Sequence, residues 1–203
     1  MDRADAIRAV AEMVKGGAGV AEIMPKAIDL CQEIEASESW RQVRAIDWTG
    51  SLVESQIWFT GLLGASPPPP SITGFWFGIF NPIRTDEPLS DFYVLGSAKY
   101  PEEEWFFEQD WRPEARYATS QAQAEIYRRG LAGGAEVGSI ADYVLTFAHA
   151  AATVNDLVST TDRGLLLGGS AVKGIAVGHD SGDALFLGEV TAQGVDRSKS
   201  DWV

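Results

Sequence analysis

The chain has 203 residues, 45% of them hydrophobic, 22% charged and 10% aromatic, enough to bury a sizeable core in one domain without metal or disulfide staples. Its 16 Lys and Arg stand against 29 Asp and Glu, a formal net charge of −13 whose field repels nucleic-acid phosphates and anionic lipid. Cys31 is the only cysteine, which excludes an intrachain disulfide and any multi-cysteine metal site and fits a reducing compartment. The opening stretch MDRADAIRAVAEMV lacks the unbroken apolar run of a signal peptide, and no stretch reaches the ~18 consecutive apolar residues of a membrane span. The expectation is a cytoplasmic protein with no nucleic-acid or membrane partner.

Ile7, Val10, Ala11 and Val14 recur at helical spacing and stop at Gly16-Gly17, predicting a helix over 3–15. Ile23, Ala27, Leu30 and Ile34 predict a second, with Pro25 in its first turn. The first 36 residues therefore form a helical segment packed on, or appended to, the rest of a single domain. Residues 41–48 suggest a short strand, and Ser51 with Glu54 has capping-box spacing ahead of a helix carrying Leu52, Phe59 and Leu63. Pro67 to Pro70 form a stiff extended spacer. The segment Thr73 to Phe80 is apolar on both alternating faces, as in a strand covered from two sides, and 91–97 offers an antiparallel partner.

Ser120 to Arg129 reads as a helix ending at Gly130, and Ser139 with Asp142 caps a longer one over 140–158. Projecting that helix at about 100° per residue gathers Ile140, Val144, Phe147, Ala151, Val154 and Val158 on one face. His149 falls on the opposite side near Asp142 and Asp156, where a solvated histidine is expected. Residues 172–177 and 184–191 form a C-terminal hairpin across the turn Gly178-His179-Asp180-Ser181-Gly182-Asp183. The whole predicts an α+β fold: an antiparallel sheet of about four or five strands from 73–80, 91–97, 172–178 and 184–191, covered by the 140–158 helix and the N-terminal helices.

Phosphate-binding glycine loops and the Gly-x-Ser-x-Gly elbow are absent: Gly130 to Gly134 follows a helix, and Gly168-Gly169 leads into a strand. The reading assigns no catalytic, cofactor-binding or metal-ligating residue. An enzymatic alternative rests on the two histidines: a small hydrolase or metal-dependent enzyme using His149, or the imidazole and carboxylates of His179, Asp180 and Asp183, whose spacing matches no calcium loop.

Composition is most uneven within 84–110. Eight acids (Asp86, Glu87, Asp91, Glu102, Glu103, Glu104, Glu108 and Asp110) face two bases (Arg84 and Lys99), giving −6, with Tyr100, Trp105, Phe106, Phe107 and Trp111 interleaved or adjacent. Aromatic anchors with an acidic rim suit a basic protein partner, and the same rings also suit packing beneath a long loop. As an interface, the segment should present Trp105 or Trp111 partly exposed, with one of Phe106 and Phe107 turned to the core and the other outward.

The stretch from Glu102 to Trp111, with the histidine-poor composition and the α+β layout, resembles the small acidic cytosolic immunity proteins with which bacteria neutralise toxins, often cationic nucleases. The chain also resembles uncharacterised bacterial proteins carrying Trp111-Arg112-Pro113-Glu114-x-Arg116-Tyr117 and a terminal Gly-x-Asp-x-Gly-Asp-like hairpin, here residues 178–183. The resemblance implies a non-enzymatic, immunity-type inhibitor of a basic toxin or effector. Its partner-binding residues would be Glu102, Glu103, Glu104, Trp105, Glu108, Asp110 and Trp111. A structural subunit of a larger assembly is a further alternative.

Overall fold

The computed structural model describes residues 1–79, 92–180 and 184–202. The expected boundary residues Phe80 and Asp91, the acids Asp86 and Glu87, and Asp183 of the turn lie outside them.

Helix α1 (Arg3–Lys15) begins at a reciprocal capping box between Asp2 and Asp5. Helix α2 (Val20–Ile34) starts at Gly19 without a cap of its own. Its first N–H, on Val20, is accepted at 2.8 Å by the carboxylate of Asp156, from far along the chain. A Cβ on residue 19 would lie 2.2 Å from that carboxylate, so any other residue there would displace the Asp156 side chain that caps the helix. Residues 41–48 are not a strand: α3 (Ser39–Arg44) buries Trp40 and Val43, three apart on one helical face. Helix α4 (Trp48–Ala65) starts earlier than the Ser51/Glu54 pair suggests, because the Asp47 side chain accepts from the Gly50 N–H at 2.9 Å.

The sheet is six-stranded and mostly antiparallel, which makes the fold α+β. Strands β1 (Gly74–Ile79), β2 (Phe92–Ser97), β3 (Val172–His179), β4 (Ala184–Thr191) and β5 (Gly194–Asp196) lie in the order β2-β1-β3-β4-β5. A short β6 (Asp201–Trp202) also pairs with β4. The β1 and β3 strands run parallel, Gly74 opposite Gly174, and every other pairing is antiparallel. At the β3/β4 irregularity, Gly188 (φ 124°) packs so closely on the Asp196 backbone that a Cβ would lie 2.2 Å from its carbonyl oxygen.

Between β2 and β3 come α5 (Ala122–Leu131), α6 (Ala135–Ile140), a π-helical turn (Ala141–Leu145), α7 (Thr146–Thr160) and α8 (Arg163–Leu167). The run 135–160 is continuous helix, longer at its start than the cap at Ser139 predicts. Among the described residues it is the one helix with the length and apolarity of a membrane span, and most of it is buried in the fold. It touches β1, β3 and β4 on one side and α1, α2, α4 and α5 on others. One core therefore joins the N-terminal helices, α7 and the inner sheet face of Phe75, Phe77, Phe92, Val94, Ile175, Val177, Leu185 and Leu187.

The other sheet face has its own roof. Trp76, Leu95, Ala176, Ala184 and Phe186 pack with Trp105, Phe106, Tyr93 and Tyr100, so β1 is covered on both faces as its all-apolar sequence requires. Glycines on that outer face make room for rings. A Cβ would lie 2.3 Å from the Trp105 ring at Gly74, 2.2 Å from Tyr93 at Gly78 and 2.5 Å from Tyr100 at Gly174.

Candidate functional site

The acidic-aromatic segment is the strap that roofs the outer sheet face. After β2, residues 98–104 turn over the sheet, and 105–107 form a single 3₁₀ turn. The chain then returns along β2, with Trp111 and Gly96 exchanging both backbone hydrogen bonds (2.9 and 3.0 Å) and Tyr117 opposite Tyr93. This return shields the β2 edge.

Trp105 and Trp111, expected to present a ring, are 5% and 7% exposed. Trp105 lies on Gly74 and meets Tyr100 edge-on, with centroids 5.2 Å apart. Trp111 passes round the sheet edge into the inner core, 5.5 Å from Phe75. Both are scaffold, because the sheet face and edge beneath them are apolar and otherwise uncovered. Of the adjacent phenylalanines, Phe106 stacks on Trp76 at 5.3 Å while Phe107 is 57% exposed. The inward-outward split expected of this pair is present, made by a 3₁₀ turn rather than by an extended segment.

Glu102, Glu103, Glu104, Glu108 and Asp110, which flank Phe107 in the sequence, are all exposed. Over 98–110 these five acids face one base, Lys99, a net −4. Among the described residues Lys99 pairs with Glu102 alone, at 3.9 Å. Asp110 has a local task, accepting from the Ala98 N–H at 2.8 Å and closing the base of the strap. Glu104 has φ 56°, the left-handed region, and is the only non-glycine there among the described residues. Such backbone costs on the order of 1 kcal/mol and persists where packing on both sides fixes it, here by Tyr100 before and Trp105 after.

Asp183 of the C-terminal turn lies outside the described residues, so the expected set of His179, Asp180 and Asp183 is not described as a whole. Among the described residues no three His, Cys, Asp or Glu side chains converge. The Asp180 carboxylate accepts a hydrogen bond from the Tyr93 hydroxyl, and burial with that partner pushes the Tyr93 phenol upward. His179 turns away toward the helices, stacked against Tyr143 at 5.9 Å.

His149 is not solvated but fully buried. The side of α7 facing away from the sheet is covered by α4, so the face opposite the apolar stripe is also interior. Its Nε2 lies 3.0 Å from Ser51 Oγ on α4, which lies 2.8 Å from Ser120 Oγ just before α5. The Nδ1 has no hydrogen-bond partner among the described residues. Burial without a counter-charge depresses the imidazole to about 4. Position-by-position projection missed this group, although the sequence carried one signal: from Tyr143 to Asn155 there is no charged residue, the mark of a helix enclosed all round.

A second buried cationic side chain went unnoticed. Lys173 on β3 is fully buried, donating to the Ile72 carbonyl at 2.7 Å with its ammonium 4.8 Å from the centre of the Phe75 ring. Burial pulls it down to about 8.

Compared with protein families, with characterised proteins and with solved structures, the chain matches none. The reading of function rests on the fold and on these side chains.

Proposed function

We propose that the protein is a binding module that docks a basic protein surface on the strap, in the manner of an immunity-type inhibitor occluding a toxin or effector. The observation that carries this reading is that Phe107 is an exposed ring on a buried aromatic base, within a segment whose five acids are all exposed. A ring held on a packed turn gives up little freedom on binding, and acids around it draw in a cationic surface. Glu102, Glu103, Glu104, Glu108 and Asp110 supply the charge, Phe107 the apolar contact, and Trp105 and Trp111 the foundation.

The test begins with a photo-crosslinking residue at position 107 in the native host, followed by kinetics on the partner it captures. Reversal of Glu102, Glu103 and Glu104 to Lys is expected to slow association at low salt, with a smaller effect at high salt where charges are screened. Phe107→Ser should weaken binding at least tenfold through faster dissociation, while Trp105→Ala loses ~3–5 kcal/mol of folding stability. A partner whose affinity ignores both the charge reversal and Phe107→Ser, or the absence of any crosslinked protein, would overturn the reading.

A further inference from the structure

The molecule carries a second constellation, in the helical layer. Between the first turns of α4 and α5 lies a cleft of about 260 Å³ with Ser51 and Ser120 in its wall. Behind Ser51 stands His149, 98 residues away in sequence, its Nε2 3.0 Å from the serine oxygen.

We propose that Ser51 is a nucleophile with His149 as its general base, and that the cleft admits small neutral or cationic esters.

The hydrogen-bond chain gives the proton a direction. Ser120 Oγ accepts from the Ala122 N–H at 3.3 Å and has its own O–H to offer to Ser51 Oγ at 2.8 Å. In the Nδ1–H tautomer that the proposal requires, the Ser51 proton points to His149 Nε2, and Thr153 Oγ1, at 3.5 Å, is the more distant partner of that nitrogen. Burial keeps the imidazole neutral at physiological pH, so Nε2 is able to accept. The required tautomer carries its proton on Nδ1, which no side chain orients; the ring is held by packing, with Trp48 5.9 Å away. Ser120 acts as a positioning residue.

The cleft wall selects the substrate class. Asp47, Glu54 and Glu125 face Arg129 there, a net negative lining that disfavours anionic esters. Arg129 is already engaged by Glu125 at 2.8 Å and by the Gln42 carbonyl at 2.7 Å. Gln121 also lines the cleft.

The step balances without an external oxidant or reductant. Ser51 Oγ bonds to the ester carbonyl carbon while its proton moves to His149 Nε2. The carbon–oxygen bond to the alcohol then breaks, and the departing oxygen takes that proton. Water attacks the acyl-Ser51, losing its proton to the same nitrogen; the bond from the acyl carbon to Oγ then breaks, Ser51 Oγ takes that proton back from Nε2, and the carboxylic acid leaves. In serine hydrolases, removing the carboxylate that holds the histidine costs about 10⁴ in turnover. Covalent labelling is therefore a better readout here than turnover.

The protein should be treated with diisopropyl fluorophosphate, a small neutral phosphorylating probe that loses fluoride to the serine, and followed by intact mass and peptide mapping. A single adduct on Ser51 is expected, abolished in Ser51→Ala. Labelling should slow at least 100-fold in His149→Gln and about tenfold in Ser120→Ala, with circular dichroism confirming that each variant is folded. Absence of an adduct on the folded protein, an adduct that persists in Ser51→Ala, or equal rates in a folded His149→Gln would overturn the proposal. If His149→Gln does not fold, the mapped site and Ser51→Ala decide. The strap reading is untouched by either result, because the two sites share no residue.

Discussion

Acidification should expose the cost of burying His149. In the unfolded chain its imidazole titrates near ~6.5, whereas in the folded protein burial lowers it to about 4. A base whose folded value is depressed contributes its full stability above the unfolded value and loses it as the pH falls toward the folded value, because the unfolded chain takes up the proton first. At about pH 4.5 the unfolded imidazole is almost wholly protonated and the folded one is mostly neutral, a loss of about 2 kcal/mol relative to pH 7. Other groups titrate in the same window. Burial raises Asp142 and Asp156, and these favour the folded state on acidification, while Asp5, Glu189 and Asp196 are lowered by hydrogen bonds and disfavour it. The comparison must therefore be with His149→Gln, which keeps a hydrogen-bonding side chain toward Ser51 and removes only this titration. Urea unfolding of both proteins at about pH 7 and about pH 4.5 gives four stabilities. The wild type should lose about 2 kcal/mol more than the variant between the two conditions. Equal losses would mean that the imidazole is solvated or already charged in the fold, and would refute the argument.

Gly74→Ala places a Cβ 2.3 Å from the Trp105 ring, so the ring must move and stability should fall by ~1–3 kcal/mol with a change in near-ultraviolet circular dichroism. Gly61→Ala on α4, with nothing within 4 Å, is its control and should be neutral or stabilising by up to ~1 kcal/mol. Lys173→Met replaces a buried, unpaired ammonium by an apolar chain of similar length and should stabilise the protein at pH 7. The folded wild type releases the Lys173 proton near 8, well before the unfolded chain, so its own stability rises from there toward pH 10. The advantage of Lys173→Met in urea unfolding should accordingly shrink by about 2 kcal/mol over that range, and a constant advantage would show that the ammonium is not desolvated.

How far the sequence disclosed this fold depends on how locally each element is determined. Helices α1 and α2 were legible because each buries one stripe, and β1, β3 and β4 because their apolar runs end in turn chemistry. The α3 helix reads as a strand in the sequence, since six residues give too little periodicity to separate helix from strand. The start of α4 was placed late because Ser51 matched a cap pattern, yet that hydroxyl belongs to a buried network with Ser120 and His149. No spacing rule links residues 69 and 98 positions apart. His149 was misplaced because a helical wheel assigns the side opposite an apolar stripe to water, which fails for a helix enclosed in a second layer.

The strap poses the same difficulty with its aromatics. A cluster of rings in an acidic window is equally the signature of an interface and of a roof over an apolar sheet face, and composition does not distinguish them. Backbone geometry does. A 3₁₀ turn has three residues per turn, so Trp105, Phe106 and Phe107 leave it in three directions about 120° apart. A flat sheet beneath the turn accepts two of those directions, and Trp105 on Gly74 with Phe106 on Trp76 takes both. The third ring is forced outward whatever its hydrophobicity. Phe107 is thus exposed by the same turn that buries its neighbours, and a polar residue would satisfy the fold equally well at that position. A phenylalanine at a position where folding does not require one, in a segment with five exposed acids, is the part of the window that scaffold alone leaves unexplained.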